Sequence, residues 1–432
     1  MNSHTHHMPG HSRRDTFLAA AAALTLTLPF PVTTMAAEPT ASPAMAPPQL
    51  PGIGDVMNQL VQAGEIAGAV TVVADRDGLR HLECTGMADV ASARPMTAET
   101  LFWIASMTKP VTGVAVAMLI DEGRIGIDDP VERFIPEFQG LSTPAGRPAR
   151  LTIRQILTHT SGLGEASPQA TRQAGELADL VPVWLAAPMK NEPGARWAYT
   201  QSGINLAGRI VEVVSGRRFD VFLGERLFTP LGMVDTTFAP SEDQRQRLAT
   251  GYARNLDTGR LEPAPPRAEY GQRSLPPQGN GGLFSTPRDY LRFCRMLLAG
   301  GTLDGRRYLG ERGMQAVSTV QTGDMPTGFF QSEAAGGLGG HYGWGLGTCV
   351  LKMPHAGVAS MLSPGTFGHG GAWGTQAWID PVRGVTYLLF VQRSNFPNSD
   401  GSDVRRRFQD AAAKALFPQG PGGSDRPGGL QP

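Results

Sequence analysis

The sequence predicts an α+β protein: one antiparallel sheet built from both ends of the chain and flanked by helices, with a mainly helical region inserted between its halves. Residues 70–74 (VTVVA) and 81–85 are apolar, β-branched runs on either side of the turn-forming stretch 75–78 (DRDG), which reads as a hairpin. Residues 375–379 and 385–391 (VTYLLFV) flank 380–384 (DPVRG) in the same way near the other end. Isolated hairpins are marginal in water, so the simplest arrangement pairs the two ends in one sheet. The residues between them carry helical patterns and Gly/Pro-rich loops but few strand signals, and no internal repeat.

A 432-residue chain can enclose a deep, water-excluding site. Its 41% hydrophobic and 18% charged residues are those of an ordinary globular protein. Lys+Arg and Asp+Glu are both 38, so charge gives no reason to expect nucleic acid as a partner.

At the start, the paired Arg13 and Arg14 precede an apolar run over 19–30 and small residues at Thr34, Ala36 and Ala37. This layout is that of a secretory signal peptide over 1–37, similar to a twin-arginine signal, and implies a periplasmic or secreted protein. The apolar run falls short of the ~20 residues a membrane span needs, so no span is expected after cleavage. Residues 38–51 read as a flexible tether and 418–432 as a disordered tail. The folded domain then covers 52–417, with its sheet region at about 52–100 and 341–417 and its mainly helical region at about 101–340. Cys84, Cys294 and Cys349 are too few and scattered for a disulfide scaffold or zinc site and read as buried small apolar residues.

The first chemical motif sits on a helix. Val111, Val114, Ala115, Met118 and Leu119 follow the i, i+3, i+4, i+7, i+8 spacing of a buried face, and Gly123 supplies a stop. Pro110 is tolerated only in a first turn, so the helix begins near Ser106. Serine needs a base within hydrogen-bond reach to act as a nucleophile, and the i, i+3 spacing puts Lys109 on the same face. Lysine ordinarily keeps its proton to about pH 10.4, so such a pair works only where burial weakens that hold. Phe102, Trp103, Ile104, Ala105 and Met107 supply apolar surroundings, and Lys109 is one of only four lysines in an arginine-rich chain, with Lys190, Lys352 and Lys414.

Residues 101–109 (LFWIASMTK), 156–163 (ILTHTSGL), 279–286 (GNGGLFST) and 342–347 (YGWGLG) together resemble the class C beta-lactamase-like serine hydrolases, a family that includes family VIII carboxylesterases, D-amino-acid peptidases and penicillin-binding proteins. The resemblance runs from about Asp55 to Phe417 and implies a beta-lactamase/penicillin-binding-protein-like fold. Its second motif, Tyr-x-Asn, is best matched by Tyr199-Thr200-Gln201, ahead of a helical stretch at 203–214, with Gln201 standing where the family has asparagine. The resemblance implies that the Tyr199 hydroxyl relays a proton, helped by nearby positive charge that lowers its proton affinity, and that Gln201 holds substrate.

In place of the family's third motif, Lys-Thr-Gly, the chain has His369-Gly370-Gly371, followed by Ala372. The resemblance implies an oxyanion hole made by the N–H groups of Ala372 and Ser106, with His369 orienting Tyr199 or touching substrate. The glycines at 370 and 371 let the strand backbone come close to a ligand. A neutral histidine replaces a fixed cation, which weakens recognition of carboxylates and favours neutral esters. His159 is assigned to structure, away from the reacting atoms.

The leading expectation is therefore a carboxylesterase that forms an acyl-enzyme, with a small ester or amide as its substrate. A beta-lactamase or a D-amino-acid or amide peptidase is the alternative within the family, and a non-hydrolytic envelope binding protein the alternative outside it. No Gly-x-Ser-x-Gly or His-Glu-x-x-His sequence occurs, and neither a metal nor an organic cofactor is expected. Nothing in the sequence specifies an oligomer.

Overall fold

The computed structural model describes residues 47–264, 275–327, 338–355, 360–396 and 400–418. The expected signal peptide, most of the tether and all but the first residue of the tail lie outside these. Eight strands form the main sheet: β1 (Gly68–Asp75), β2 (Leu79–Asp89), β3 (Arg94–Pro95), β4 (Tyr342–Trp344), β5 (Cys349–Leu351), β6 (Phe367–Gly370), β7 (Gln376–Asp380) and β8 (Val385–Phe390). Their spatial order is β4-β5-β6-β7-β8-β1-β2-β3, and every neighbouring pair is antiparallel. The expected hairpins are β1–β2 and β7–β8, and they join where β1 lies beside β8, with Val70 opposite Phe390 and Val72 opposite Leu388. Both chain ends thus complete one sheet.

The central strands bury both faces, and their side chains divide with the two-residue period of a strand. Val70, Val72, Leu388 and Phe390 enter the larger core. Ala69, Val73, Tyr387 and Leu389 enter the smaller core on the other face. That smaller core is closed by α1 (Ile53–Gln62) through Ile53, Met57 and Leu60, and by the C-terminal helix through Val404, Phe408 and Ala412. The larger core packs under α2 (Thr108–Asp121), α3 (Ser202–Ser215) and α4 (Pro287–Leu298). The C-terminal helix is α5 (Asp403–Leu416).

The helix α2 departs from the amphipathic pattern read in the sequence. Every residue from Thr108 to Ile120 is buried, so α2 is the central helix of the larger core rather than a surface helix with one hidden face. Burying a Val or Leu side chain contributes ~1.5–3 kcal/mol, and α2 presents such groups on all sides. Close packing explains Gly113, where a Cβ would overlap the Leu346 carbonyl oxygen. Gly123 ends the helix with φ 71°, the left-handed conformation glycine adopts without strain. One expectation fails outright: Cys84 on β2 is exposed, whereas Cys294 is buried and Cys349 half-buried.

Candidate active site

Ser106 stands in a tight turn, Ala105–Met107, between the two-residue strand Phe102–Trp103 and α2. The turn is strained: Ala105 has φ 44°, a left-handed value that costs a non-glycine residue of order 1–3 kcal/mol. Its neighbours hold it there. The Ile104 N–H donates to Leu283 O at 3.0 Å, and the Thr108 hydroxyl donates to Ala105 O at 2.7 Å. The consequence is a serine hydroxyl held at the start of the deeply buried helix α2.

The Lys109 side chain is wholly buried, and its Nζ lies 3.0 Å from Ser106 Oγ, 3.0 Å from Gln201 Oε1 and 2.7 Å from Asn280 O. Burial lowers its pKa from 10.5 to about 7, while Glu165 and Asp400 pull it the other way. The three neighbours also orient the neutral amine. Gln201 Oε1 and Asn280 O can only accept, so they take its two N–H groups and leave the lone pair directed at the Ser106 hydroxyl. An amine so placed can remove that proton.

Tyr199 approaches Ser106 from the segment before α3; its hydroxyl donates to Ser106 Oγ at 2.9 Å and lies 3.4 Å from His369 Nε2. Here the structure corrects the sequence expectation. Burial raises the Tyr199 pKa well above its ordinary value, and the hydrogen bond to Ser106 offsets only part of that. The phenol therefore keeps its proton and serves as a donor, leaving Lys109 as the group whose basicity suits neutral pH. Burial, with Lys109 nearby, lowers the pKa of His369 to about 3, so its ring is neutral. Its Nδ1–H donates to Gly370 O at 2.6 Å, which leaves Nε2 as an acceptor facing Tyr199.

His159 is not remote, as expected, but forms the floor beneath Tyr199. The two ring centroids are 4.5 Å apart, with Trp344 at 4.9 Å from His159. The His159 Nδ1 accepts the Thr200 N–H at 3.2 Å, which fixes the backbone between Tyr199 and Gln201. Gln201 differs as well: its Oε1 is bound within the protein by Lys109 and by Asn280 Nδ2 at 2.9 Å.

The glycines beside His369 are required by protein neighbours. A Cβ on Gly370 would overlap Asp400 Oδ1, and one on Gly371 would overlap Thr375 Oγ1 and stand 2.6 Å from Ile104 O. Gly371 thereby brings the chain after β6 against the Ser106 turn, while its N–H donates to Thr375 O at 2.7 Å. Ala372 follows and is exposed. Among the described residues, no acceptor meets the N–H of Ser106 or of Ala372.

Three residues of the site escaped the sequence reading. Asn280 contributes its carbonyl oxygen to Lys109 and its amide to Gln201, and the Asn205 Oδ1 fixes its N–H at 3.1 Å. Its stretch resembles the family, yet a carbonyl oxygen carries no sequence signature. Glu165 accepts the Gln201 N–H at 2.5 Å, the Ser202 N–H at 2.9 Å and the Ser202 hydroxyl at 2.7 Å, and so caps α3 from outside the helix. Asp400 reaches the back of β6 from a position 291 residues beyond Lys109 in the chain.

Comparison with known proteins agrees with this architecture. Protein Rv1367c of Mycobacterium tuberculosis is 35% identical over 368 residues, 78% of this chain and 88% of its own length. Esterase EstB of Burkholderia gladioli is 28% identical over 391 residues, 83% and 94% of the two chains. The structure of simvastatin synthase (LovD) from Aspergillus terreus superposes with a TM-score of 0.71 at 25% identity, covering 85% of this chain and 98% of that one. Residues 53–412 match the Beta-lactamase family model, a span that takes in α1, the Ser106 turn, every strand of the main sheet and most of α5, and the chain belongs to that family of beta-lactamase-fold serine hydrolases.

Proposed function

We propose that this protein is a carboxylesterase that cleaves small neutral esters through an acyl-enzyme on Ser106. The observation that carries this reading is one hydroxyl set between two groups of opposite proton affinity, Lys109 Nζ at 3.0 Å and Tyr199 Oη at 2.9 Å. Lys109 removes the Ser106 proton as Oγ bonds to the ester carbonyl carbon, and the N–H groups of Ser106 and Ala372 hold the resulting oxyanion. Tyr199 passes its proton to the departing alkoxide and recovers one from the Lys109 ammonium. Water then adds to the acyl carbon by the same route in reverse, its proton returning through Lys109, and the carboxylic acid leaves. His369 lies beside Tyr199 and is uncharged, so it gives a substrate carboxylate no cation to bind. The likeness to Esterase EstB supports an ester substrate.

The test is a panel of short and long nitrophenyl esters, a chromogenic cephalosporin and a D-alanyl peptide, run with wild type and Ser106→Ala. Ester turnover that disappears in the variant, with little cephalosporin or peptide cleavage, is the expected result. Faster lactam or peptide cleavage than ester cleavage replaces this reading with the family's other activities, and no turnover of any substrate replaces it with a binding function.

A further inference from the structure

Behind the site strand lies a buried carboxyl group that the steps above do not use. Asp400 sits just ahead of α5, only 8% exposed, with its carboxylate against the backbone of Gly370, where even a methyl group would not fit. Gln376, paired with Gly370 across β6 and β7, fills the other side of that space. Its amide orientation is fixed, because the Trp378 indole N–H donates to Gln376 Oε1 at 2.8 Å and so turns Nε2 toward Asp400. Arg405 closes the arrangement. Its guanidinium is 1% exposed, stacks 3.9 Å over the Trp378 ring, donates to Asp400 O at 2.7 Å and lies 4.0 Å from Asp400 Oδ1. Buried ion pairs are costly compared with apolar packing of the same volume, so a carboxylate maintained here invites a role.

That role follows from what the chemistry creates. When Ser106 gives up its proton, Lys109 becomes an ammonium inside a pocket dry enough to disfavour it. Two carboxylates act on that ammonium: Glu165, exposed at the cap of α3, and Asp400, buried behind β6. The other titratable groups around Lys109 are His159, His369 and Tyr199, and all three are held neutral by burial. Those around Asp400, besides Lys109, are Arg405, Tyr342 and Cys349; burial keeps the phenol and the thiol uncharged and raises the Asp400 pKa, while Arg405, the Gln376 amide and Lys109 favour its carboxylate. We propose that Asp400 is a positioning residue of this site: its carboxylate, fixed behind Gly370 by Arg405 and Gln376, stabilises the ammonium that Lys109 becomes during acyl transfer.

The inference rests on the assignment of Ser106 and Lys109 as nucleophile and base, and the experiment separates the two. The measurement is kcat/KM for a short nitrophenyl ester from pH 5 to 9 in wild type, Asp400→Asn, Asp400→Ser, Ser106→Ala and Lys109→Ala, with thermal unfolding of each. Neutralising Asp400 removes a charge that favours the ammonium. The acidic limb of the profile then moves to lower pH by about 0.5 unit or more, less than the ~1–3 units of an opposite charge in direct contact, and the plateau falls as the base weakens. The serine variant offers a second neutral side chain should the asparagine variant not fold. A limb that stays in place or moves up in a folded variant, with only stability reduced, overturns the role of Asp400. Activity surviving in Ser106→Ala or Lys109→Ala overturns the underlying assignment instead.

Discussion

Replacing Lys109 with methionine keeps the volume of a buried side chain and deletes its charge, which makes the cost of burying that amine measurable. In the folded protein the Lys109 pKa stands at about 7, against an ordinary 10.5. At ~1.4 kcal/mol per pH unit this gap corresponds to about 5 kcal/mol. Its sign is opposite to that of a salt-bridged lysine. Between about pH 7 and 10.5 the unfolded chain binds the proton and the folded chain does not, so wild-type stability gains from this group as pH rises. Below pH 7 both states hold the proton and the full penalty is present. The variant carries no such dependence, but it leaves Gln201 Oε1 and Asn280 O without their donor, a pH-independent cost of roughly 1–3 kcal/mol each. Urea unfolding of both proteins at pH 7, 8, 9 and 10 therefore gives a stability difference that shifts in favour of wild type by up to ~1.4 kcal/mol per unit, about 3.5 kcal/mol across this range. The same amine puts the acidic limb of wild-type ester turnover near pH 7, and the variant is inactive. Stability curves that stay parallel across this range would refute a buried amine held neutral, and with it the base assigned to Ser106.

Two further outcomes follow from the same geometry. Tyr199→Phe keeps the ring against His159 and Trp344 but removes the hydroxyl 2.9 Å from Ser106 Oγ, so kcat falls by ~10²–10⁴ with unfolding little changed; wild-type kcat in the variant would eliminate the phenol as proton carrier. Gly113→Ala drives a methyl group into the Leu346 carbonyl and displaces α2 at the level of Lys109, lowering stability by ~1–3 kcal/mol in denaturant melts and reducing turnover; a variant as stable and active as wild type would show that the contact between α2 and Leu346 yields freely.

Much of this architecture was legible because it depends on local pattern. The turn chemistry of 75–78 and 380–384 with β-branched runs on either side gave both hairpins, and Pro110 with Gly123 bracketed α2. The pairing of Ser106 with Lys109 was legible for the same reason, since residues three apart on a helix share a face whatever surrounds them. The surroundings were not legible. The spacing of α2 suggested one buried face where all are buried, because periodicity reports the polarity of a helix's own residues and not how many neighbours cover it. His159 looked remote in sequence and lies under Tyr199.

The sequence by itself thus determined the two hairpins, the helix α2 and the pairing of the candidate side chains Ser106 and Lys109, all consequences of short-range stereochemistry. Tertiary structure decided protonation. Whether Lys109 can act as a base, Tyr199 stays a phenol and His369 stays uncharged depends on desolvation and on charges such as Glu165 and Asp400. Both are sums over everything packed around a group, contributed by segments hundreds of residues apart, and no local window of the chain contains them.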